Sequence, residues 1–350
     1  MSHSGYENPI EQAAVSAYIG LAIGDALGAT VEFMSANEIL DKYGMHNKMC
    51  GGGWLKLKAG EVTDDTSMSL ALGEAILQSG GVKSLKVAEA FSQWLLQNPV
   101  DVGNTVKRGI LHYRYSGSPM VKRSETAAGN GACMRTLPVA LATLNCDEQE
   151  IIAATKAQAH TTHNNALSDA ATGCVVHMLQ LAIRGADKEQ LLNYVDNSLL
   201  ENFPLFEYRN ERIDNPTGYI VDTMRAVLQA LVATDNFTDC LVNVVNRGGD
   251  ADTTGAIAGM LAGALYRVDT FPAEWLKTLN KTIRTQCEQQ ALDLLRLSEK
   301  LQKMSSDNSE NSTTIATSLT ASFSATSATT NTKTKGDNAN SYMKQRGSMV

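Results

Sequence analysis

The stretch RGGDADTTGAIAGMLAGALY, Arg247–Tyr266, decides the fold class. Ile257, Leu261 and Leu265 recur every four residues, the interval that stacks side chains on one face of an α-helix. Gly255, Gly259 and Gly263 recur at the same interval. Each glycine costs a helix interior about 1 kcal/mol against alanine. Three in register therefore point to a buried central helix whose bare face admits another helix backbone. Tight packing alone accounts for them without a chemical role. Just upstream, Gly248 and Gly249 give the chain freedom to bend sharply before the helix begins.

Helical periodicity extends in both directions from this segment. A first helix starts with Asn8 as N-cap and Pro9 at the first helical position, with Ile10, Ala13, Ala14, Ala17 and Leu21 on its apolar face. Further helices carry Met68, Leu72, Ala75 and Ile76, then Leu167, Ala171, Cys174, Val175 and Met178, then Ile220, Met224, Val227, Leu228 and Leu231. Strand signals are sparse. Leu241–Val245 reads equally as a short strand or a helix end, and strands and helices do not alternate. The composition agrees: 43% hydrophobic residues supply a core, and only 6% are aromatic. The expectation is an all-α, single compact multi-helix domain over residues 10–303. A short N-terminal arm, residues 1–9, precedes it, and a low-complexity disordered tail, residues 304–350, follows. That tail is mostly Ser, Thr, Asn, Ala and Lys, too polar to offset its ordering entropy.

Charge and cysteine usage narrow the partners. The net charge is −7 with no long basic run, which argues against nucleic acid as a partner. No apolar signal core opens the chain, and Gly255–Tyr266 is too short to cross a bilayer. Six cysteines without a CxxC pair read as buried thiols in a reducing compartment. These features predict a cytoplasmic protein that contacts no membrane.

Two acidic segments carry the chemistry. Asp64 and Asp65 lie between Thr63 and Thr66 ahead of one helix, and Asp250 and Asp252 precede Thr253 and Thr254 ahead of another. Either segment alone reads as an N-cap with an acidic first turn. Asp250 and Asp252 would diverge by about 200° on a regular helix, but in a loop at a helix start they can converge. Four carboxylates brought together need protons or cations. The available ligands are all oxygens, which suits a pair of Mg²⁺ or Mn²⁺ ions over Zn²⁺. This reading requires the two segments to meet in space. An EF-hand loop beginning at Asp250 fails, because its twelfth position is Leu261 rather than Glu. The DxDxT pattern also matches the nucleophile motif of haloacid-dehalogenase-type phosphatases. That motif should directly follow a hydrophobic strand near the start of its domain, whereas here Asn246–Gly249 intervenes late in the chain.

Four further segments complete a pattern: Gly24-Asp25-Ala26-Leu27-Gly28 followed by Val31-Glu32-Phe33, Gly129–Arg135, Thr162-His163-Asn164, and Gly218–Thr223. In this order, with the acidic segments, the chain resembles the ADP-ribosylglycohydrolases from about Ala14 to Leu265. The resemblance implies an all-α fold and two Mg²⁺ (or Mn²⁺) ions held by Thr63, Asp64, Asp65, Asp250, Asp252 and Thr253. It also implies hydrolysis at C1″ of ADP-ribose, with Glu32 and Asp101 as candidate catalytic carboxylates. Asn104, Gly129, Asn130, Gly131, His163 and Tyr219 become candidate substrate contacts. Read from the residues, Gly129-Asn130-Gly131 is a turn able to take left-handed backbone, with N–H groups suited to a pyrophosphate. Tyr219 is an aromatic that can stack on adenine or line the ribose pocket.

The function expected is removal of ADP-ribose from modified protein side chains, with arginine the leading acceptor. A rival is an immunity protein that neutralises a cognate ADP-ribosyltransferase toxin by direct binding as well as by hydrolysis. Protection that survives Asp252→Asn would favour direct binding.

Overall fold

The computed structural model describes residues 8–325, with side chains described through residue 303. Most of the expected N-terminal arm and residues 326–350 of the expected tail lie outside the described residues. The chain divides into a unit of Met1–Gln302 and a unit of Lys303–Val350. Among the described residues there are fourteen α-helices and no sheet, only three isolated β-bridges. The phosphatase reading is thereby overturned, because no hydrophobic strand leads into Asp250. Leu241–Val245 resolves as the end of a helix.

α1 (Pro9–Gly28) and α12 (Ala251–Tyr266) form the centre. Asn8 caps α1, its Oδ1 accepting from the Ile10 N–H at 2.9 Å, and Pro9 opens the helix as expected. Ala13–Gly28 and Ala251–Ala264 are buried on every side, the condition of a helix that is apolar all round. Ile10, placed on the apolar face by periodicity, is instead 36% exposed, because it precedes the buried stretch.

The two helices meet backbone to backbone. A Cβ on Gly24 would sit 1.9 Å from the Gly255 carbonyl oxygen, and one on Gly20 would sit 2.2 Å from that of Gly259. At the two ends, Gly28 faces Ala251 and Gly263 faces Ser16. These pairings run antiparallel, so the last turn of α1 lies against the first turn of α12. The glycine stripe in α12 thus has a matching stripe in α1, and together they fix which chain ends adjoin.

The remaining helices surround this pair. α2 (Ala36–Tyr43), α3 (Asp64–Ser79), α4 (Ser84–Leu96), α5 (Asn104–Ser116) and α6 (Leu137–Ala142) come from the first half. α7 (Glu148–Ala159), α8 (Ala166–Ile183), α9 (Lys188–Val195), α10 (Ile220–Ala233) and α11 (Phe237–Val245) follow. After α12 come α13 (Ala273–Thr278) and α14 (Lys281–Ala325), inside which the low-complexity stretch begins. α12 packs against α3, α8, α10 and α11 as well as α1. The cysteines are free; Cys133, Cys174, Cys240 and Cys287 are buried as expected, Cys146 is half-buried, and Cys50 is exposed.

Candidate active site

Three helix ends converge where α1 stops and α3 and α12 start. Asp25, near the end of α1, is wholly buried. Its carboxylate accepts the Thr63 N–H at 2.9 and 3.1 Å, the Thr66 N–H at 3.0 Å, and the hydroxyls of Thr63 at 3.0 Å and Thr66 at 2.5 Å. Thr63 provides no side-chain cap for α3, so a carboxylate from another helix supplies the orphan N–H groups with their acceptor. Asp25 thereby fixes the direction of Asp64 and Asp65.

The loop before α12 is held equally firmly. Gly248 and Gly249 take φ of 73° and 64°, the left-handed region open to glycine. The Gly249 N–H donates to Met34 at 2.9 Å, the Phe33 N–H to Gly249 at 2.7 Å, and the Asp250 N–H to Pro216 at 2.8 Å. Residues 33–34, just past Glu32, are therefore tied to the loop that presents Asp250 and Asp252.

The two acidic segments, far apart in sequence, meet. Thr63 Oγ1 lies 3.1 Å from Asp65 Oδ2 and 3.4 Å from Asp252 Oδ2. Carboxylate oxygens of Glu32, Asp250 and Asp252 lie within 4.8 Å of one another. Glu32, which the sequence reading treats as a catalytic group, is thus also placed as a candidate ligand.

A cavity of about 500 Å³ opens above this floor. Its walls include Glu32, Asp64, Asp101, Asp250, Asp252 and Thr253 from the acidic group, and Asn104, Gly129, Asn130, Gly131 and His163 from the expected substrate contacts. Thr63 and Asp65 lie behind the wall rather than in it. Tyr219 does not line it either: its side chain is 39% exposed, and its backbone pairs with Gly129. A larger groove of about 1180 Å³ along α3, α4 and α14 lies apart from the convergence of the acidic segments.

The Gly129-Asn130-Gly131 segment departs from expectation. Neither glycine has a positive φ. They are bare because a Cβ on either would fall 2.9 Å from the His163 ring, and the Asn130 N–H is engaged with the Gly218 carbonyl at 3.0 Å. The Asn130 amide instead donates to Asp250 Oδ2 at 2.6 Å and to Thr223 Oγ1 at 2.9 Å, so this segment steers an acidic side chain. Behind it, buried Arg135 donates to Thr162 Oγ1 at 2.8 Å, and Thr162 Oγ1 lies 2.7 Å from His163 Nδ1. With the Thr162 hydroxyl donating to Nδ1, the ring proton sits on Nε2, toward Gly129. Burial, then the nearby Arg135 and Arg108 charges, press the His163 pKa down to about 3, so the imidazole is neutral at physiological pH.

Burial dominates the carboxylate electrostatics. It raises Asp64 to about 7, with the charges of Asp101 and Asp25 adding to the rise. Glu32 is raised to about 8 by burial, against the lowering effect of the Trp54 indole N–H at 2.7 Å. Asp25 reaches about 6 by burial in spite of its threonine donors. Asp65 is pushed well up by burial and by Asp25 and Asp64, Asp252 by burial and by Asp65 and Glu32. Asp250 rises through burial, opposed by Asn130, and Asp101 through burial, opposed by the Val102 N–H.

These residues fit a hard divalent cation. The Thr63 hydroxyl has one proton within reach of three carboxylates. Asp65 Oδ1 is buried without any partner. All donors are oxygens, and no Lys or Arg lines the cavity. Two residues outside the expected site prove central to it. Asp25 is signalled as the one charged residue in the Ala13–Gly28 stretch of α1. Trp54 is signalled by the Gly51-Gly52-Gly53 run before it, where all three glycines take positive φ.

Fold and site together define an all-α protein with a buried acidic centre at the floor of a cleft. A family model described as ADP-ribosylglycohydrolase matches residues 7–304, and the chain belongs to that family of glycohydrolases. It is 46% identical over 289 residues to the ADP-ribosyl-[dinitrogen reductase] glycohydrolase of Rhodospirillum rubrum, covering 83% of this chain and 97% of the relative. It is 35% identical over 284 residues to the ADP-ribosylarginine hydrolase Tri1 of Pseudomonas putida (strain GB-1), covering 75% of this chain and 73% of the relative. A solved structure titled ADP-ribosylglycohydrolase-related protein complex superposes with a TM-score of 0.74 at 32% identity, covering 83% of this chain and 99% of that one.

Proposed function

We propose that this chain hydrolyses the N-glycosidic bond between ADP-ribose and an arginine side chain of a modified protein, with Mg²⁺ or Mn²⁺ at the acidic centre. The carrying observation is the convergence of Thr63–Asp65 and Asp250–Thr253 below a cleft walled by Glu32 and Asp101. Arginine as the acceptor is favoured by the name of the P. putida relative.

Asp64, Asp65, Asp250 and Asp252, with Thr63 and Thr253, would hold the cations. Bound there, they supply charge stabilisation at the ribose and make a nearby water more acidic. Asp25 and Asn130 keep the ligand carboxylates in place. Glu32, on the cavity wall beside Asp250 and Asp252, is positioned to give a proton to the departing nitrogen. Asp101 on the same cavity is the alternative proton carrier. The cavity lacks a cationic side chain for the diphosphate. The N-terminus of α5 borders it: the Gly103 N–H is engaged by Asp64 Oδ2 at 3.4 Å, and the Asn104 and Thr105 N–H groups suit phosphate oxygens.

The test is release of ADP-ribose from an ADP-ribosyl-arginine protein in Mg²⁺ or Mn²⁺, with chelator and Asp64→Ala controls. Turnover by the wild type and a loss of 100-fold or more in both controls, on the order seen when a catalytic electrostatic group is removed, are expected. No release by the wild-type chain would sink the proposal. A direct-binding role against a transferase would show as protection of cells that persists in Asp252→Asn.

A further inference from the structure

Two large aromatic rings stand at the mouth of the acidic cleft, and the hydrolytic reading gives them no task. Phe33 is 67% exposed and Trp54 is 51% exposed. Their centroids lie 5.5 Å apart at 43°, and both line the cavity. Phe33 takes φ of 63°, a conformation that is an outlier for a bulky side chain and that gathers at functional sites. Its N–H is fixed to Gly249, next to Asp250. Trp54 follows three left-handed glycines, and a Cβ on Gly53 would fall 2.4 Å from the Ala29 carbonyl oxygen, so the turn is pressed onto the end of α1. The Trp54 indole N–H is engaged with Glu32, which leaves its ring face for other contacts.

From these placements we infer that Phe33 and Trp54 form an aromatic cradle for the guanidinium of the arginine acceptor, and so set acceptor specificity. The inference rests on the hydrolytic reading for the position of the bond. The reacting carbon must lie near the carboxylates, and the departing group must lie beside Glu32. Phe33 is the next residue along the chain and Trp54 is hydrogen-bonded to Glu32, so both rings adjoin the departing group. A guanidinium is planar and cationic, and aromatic faces attract such groups. Five carboxylates and no Lys or Arg line the cavity, and His163 is neutral. No cationic side chain of the cavity wall therefore competes for the ring faces. A serine acceptor offers neither charge nor plane and gains nothing from the rings.

The discriminating measurement compares one peptide carrying ADP-ribose on arginine with its counterpart carrying it on serine. In Phe33→Leu and Trp54→Leu, the ratio of kcat/KM for arginine over serine should fall about five- to tenfold, the range of a partly exposed cation–π contact, chiefly through KM. Trp54→Phe, which keeps a ring, should retain most of that ratio. An equal loss on both substrates, or an equal loss of affinity for free ADP-ribose by calorimetry, would overturn the cradle and assign the rings to the nucleotide. A second readout needs no turnover. Nα-acetyl-arginine amide should change wild-type tryptophan emission saturably, its citrulline counterpart should not, and Trp54→Phe should lose the change. If the wild type fails to cleave the arginine-linked peptide, the hydrolytic reading fails while this fluorescence response still decides the cradle. Identical responses to arginine and citrulline, or none to either, would refute it.

Discussion

The Asp25 carboxylate accepts two backbone N–H groups and two hydroxyls at the start of α3. Asp25→Ala strands buried donors, at about 1–3 kcal/mol each, partly offset by removing a carboxylate that repels Asp64 and Asp65. A net loss of about 2–4 kcal/mol in urea unfolding is expected, with a smaller loss for Asp25→Asn, which keeps one acceptor oxygen. Equal stability of wild type and Asp25→Ala would contradict the capping role. Trp54 acts on a neighbouring acid in the opposite sense to burial: its N–H holds Glu32 below the value burial alone would give. Trp54→Phe therefore raises Glu32, and if Glu32 carries the departing proton, the alkaline limb of the pH–rate profile shifts upward. Both residues stand in motifs or beside glycine runs, and their partners stand in motifs too, yet the sequence does not record which pairs with which. Thr63 and Thr66 lie 38 and 41 positions from Asp25, and no local period records such a pairing.

At the scale of elements, periodicity made the helices legible, because each buries a face that repeats within its own sequence. Caps were equally local, as Asn8 and Pro9 show. Pairing of helices is different, since α12's glycine stripe says that something approaches without saying what. Gly20, Gly24 and Gly28 share that four-residue spacing in the sequence, but that they form the partner stripe is visible only once both backbones are placed. Leu241–Val245 was ambiguous for a related reason: a short apolar run has too few turns to show its period. The Gly129–Gly131 segment was misjudged because bareness for a neighbouring ring and freedom for positive φ look alike in sequence. Substitution separates the cases. Gly24→Ala places a Cβ 1.9 Å from the Gly255 oxygen, so the central helices must part. The expected result is a loss of more than about 3 kcal/mol, or failure to fold, from overpacking. Gly173→Ala, inside α8 with no atom within 4 Å of its Cβ, should stabilise by about 0.5–1 kcal/mol through helix propensity. Similar effects of the two in thermal unfolding would refute the close-packed glycine seam.

For the whole molecule, the acidic centre links folding, pH and cations. Asp64 titrates near the ordinary carboxylate value in the unfolded chain and at about 7 when folded, and Glu32 moves to about 8. A group raised in this way favours the folded state fully below its unfolded pKa. That contribution disappears as pH rises through the folded value. Metal-free protein should therefore lose thermal stability between about pH 4 and 8, by a fall on the order of 5 °C in Tm, as the buried carboxylates are forced to ionise against one another. A divalent cation that binds the ionised folded centre and not the unfolded chain would stabilise by mass action. Its effect should grow across the same window as protons leave the site. Differential scanning fluorimetry at pH 5, 6.5 and 8, with chelator or with Mg²⁺ or Mn²⁺, reads both slopes. Asp252→Asn removes one of the crowded charges, and should flatten the metal-free pH dependence while weakening the cation-induced rise. A cation effect independent of pH, or one unchanged in Asp252→Asn, would place binding elsewhere and leave the convergence of the two acidic segments a matter of packing alone.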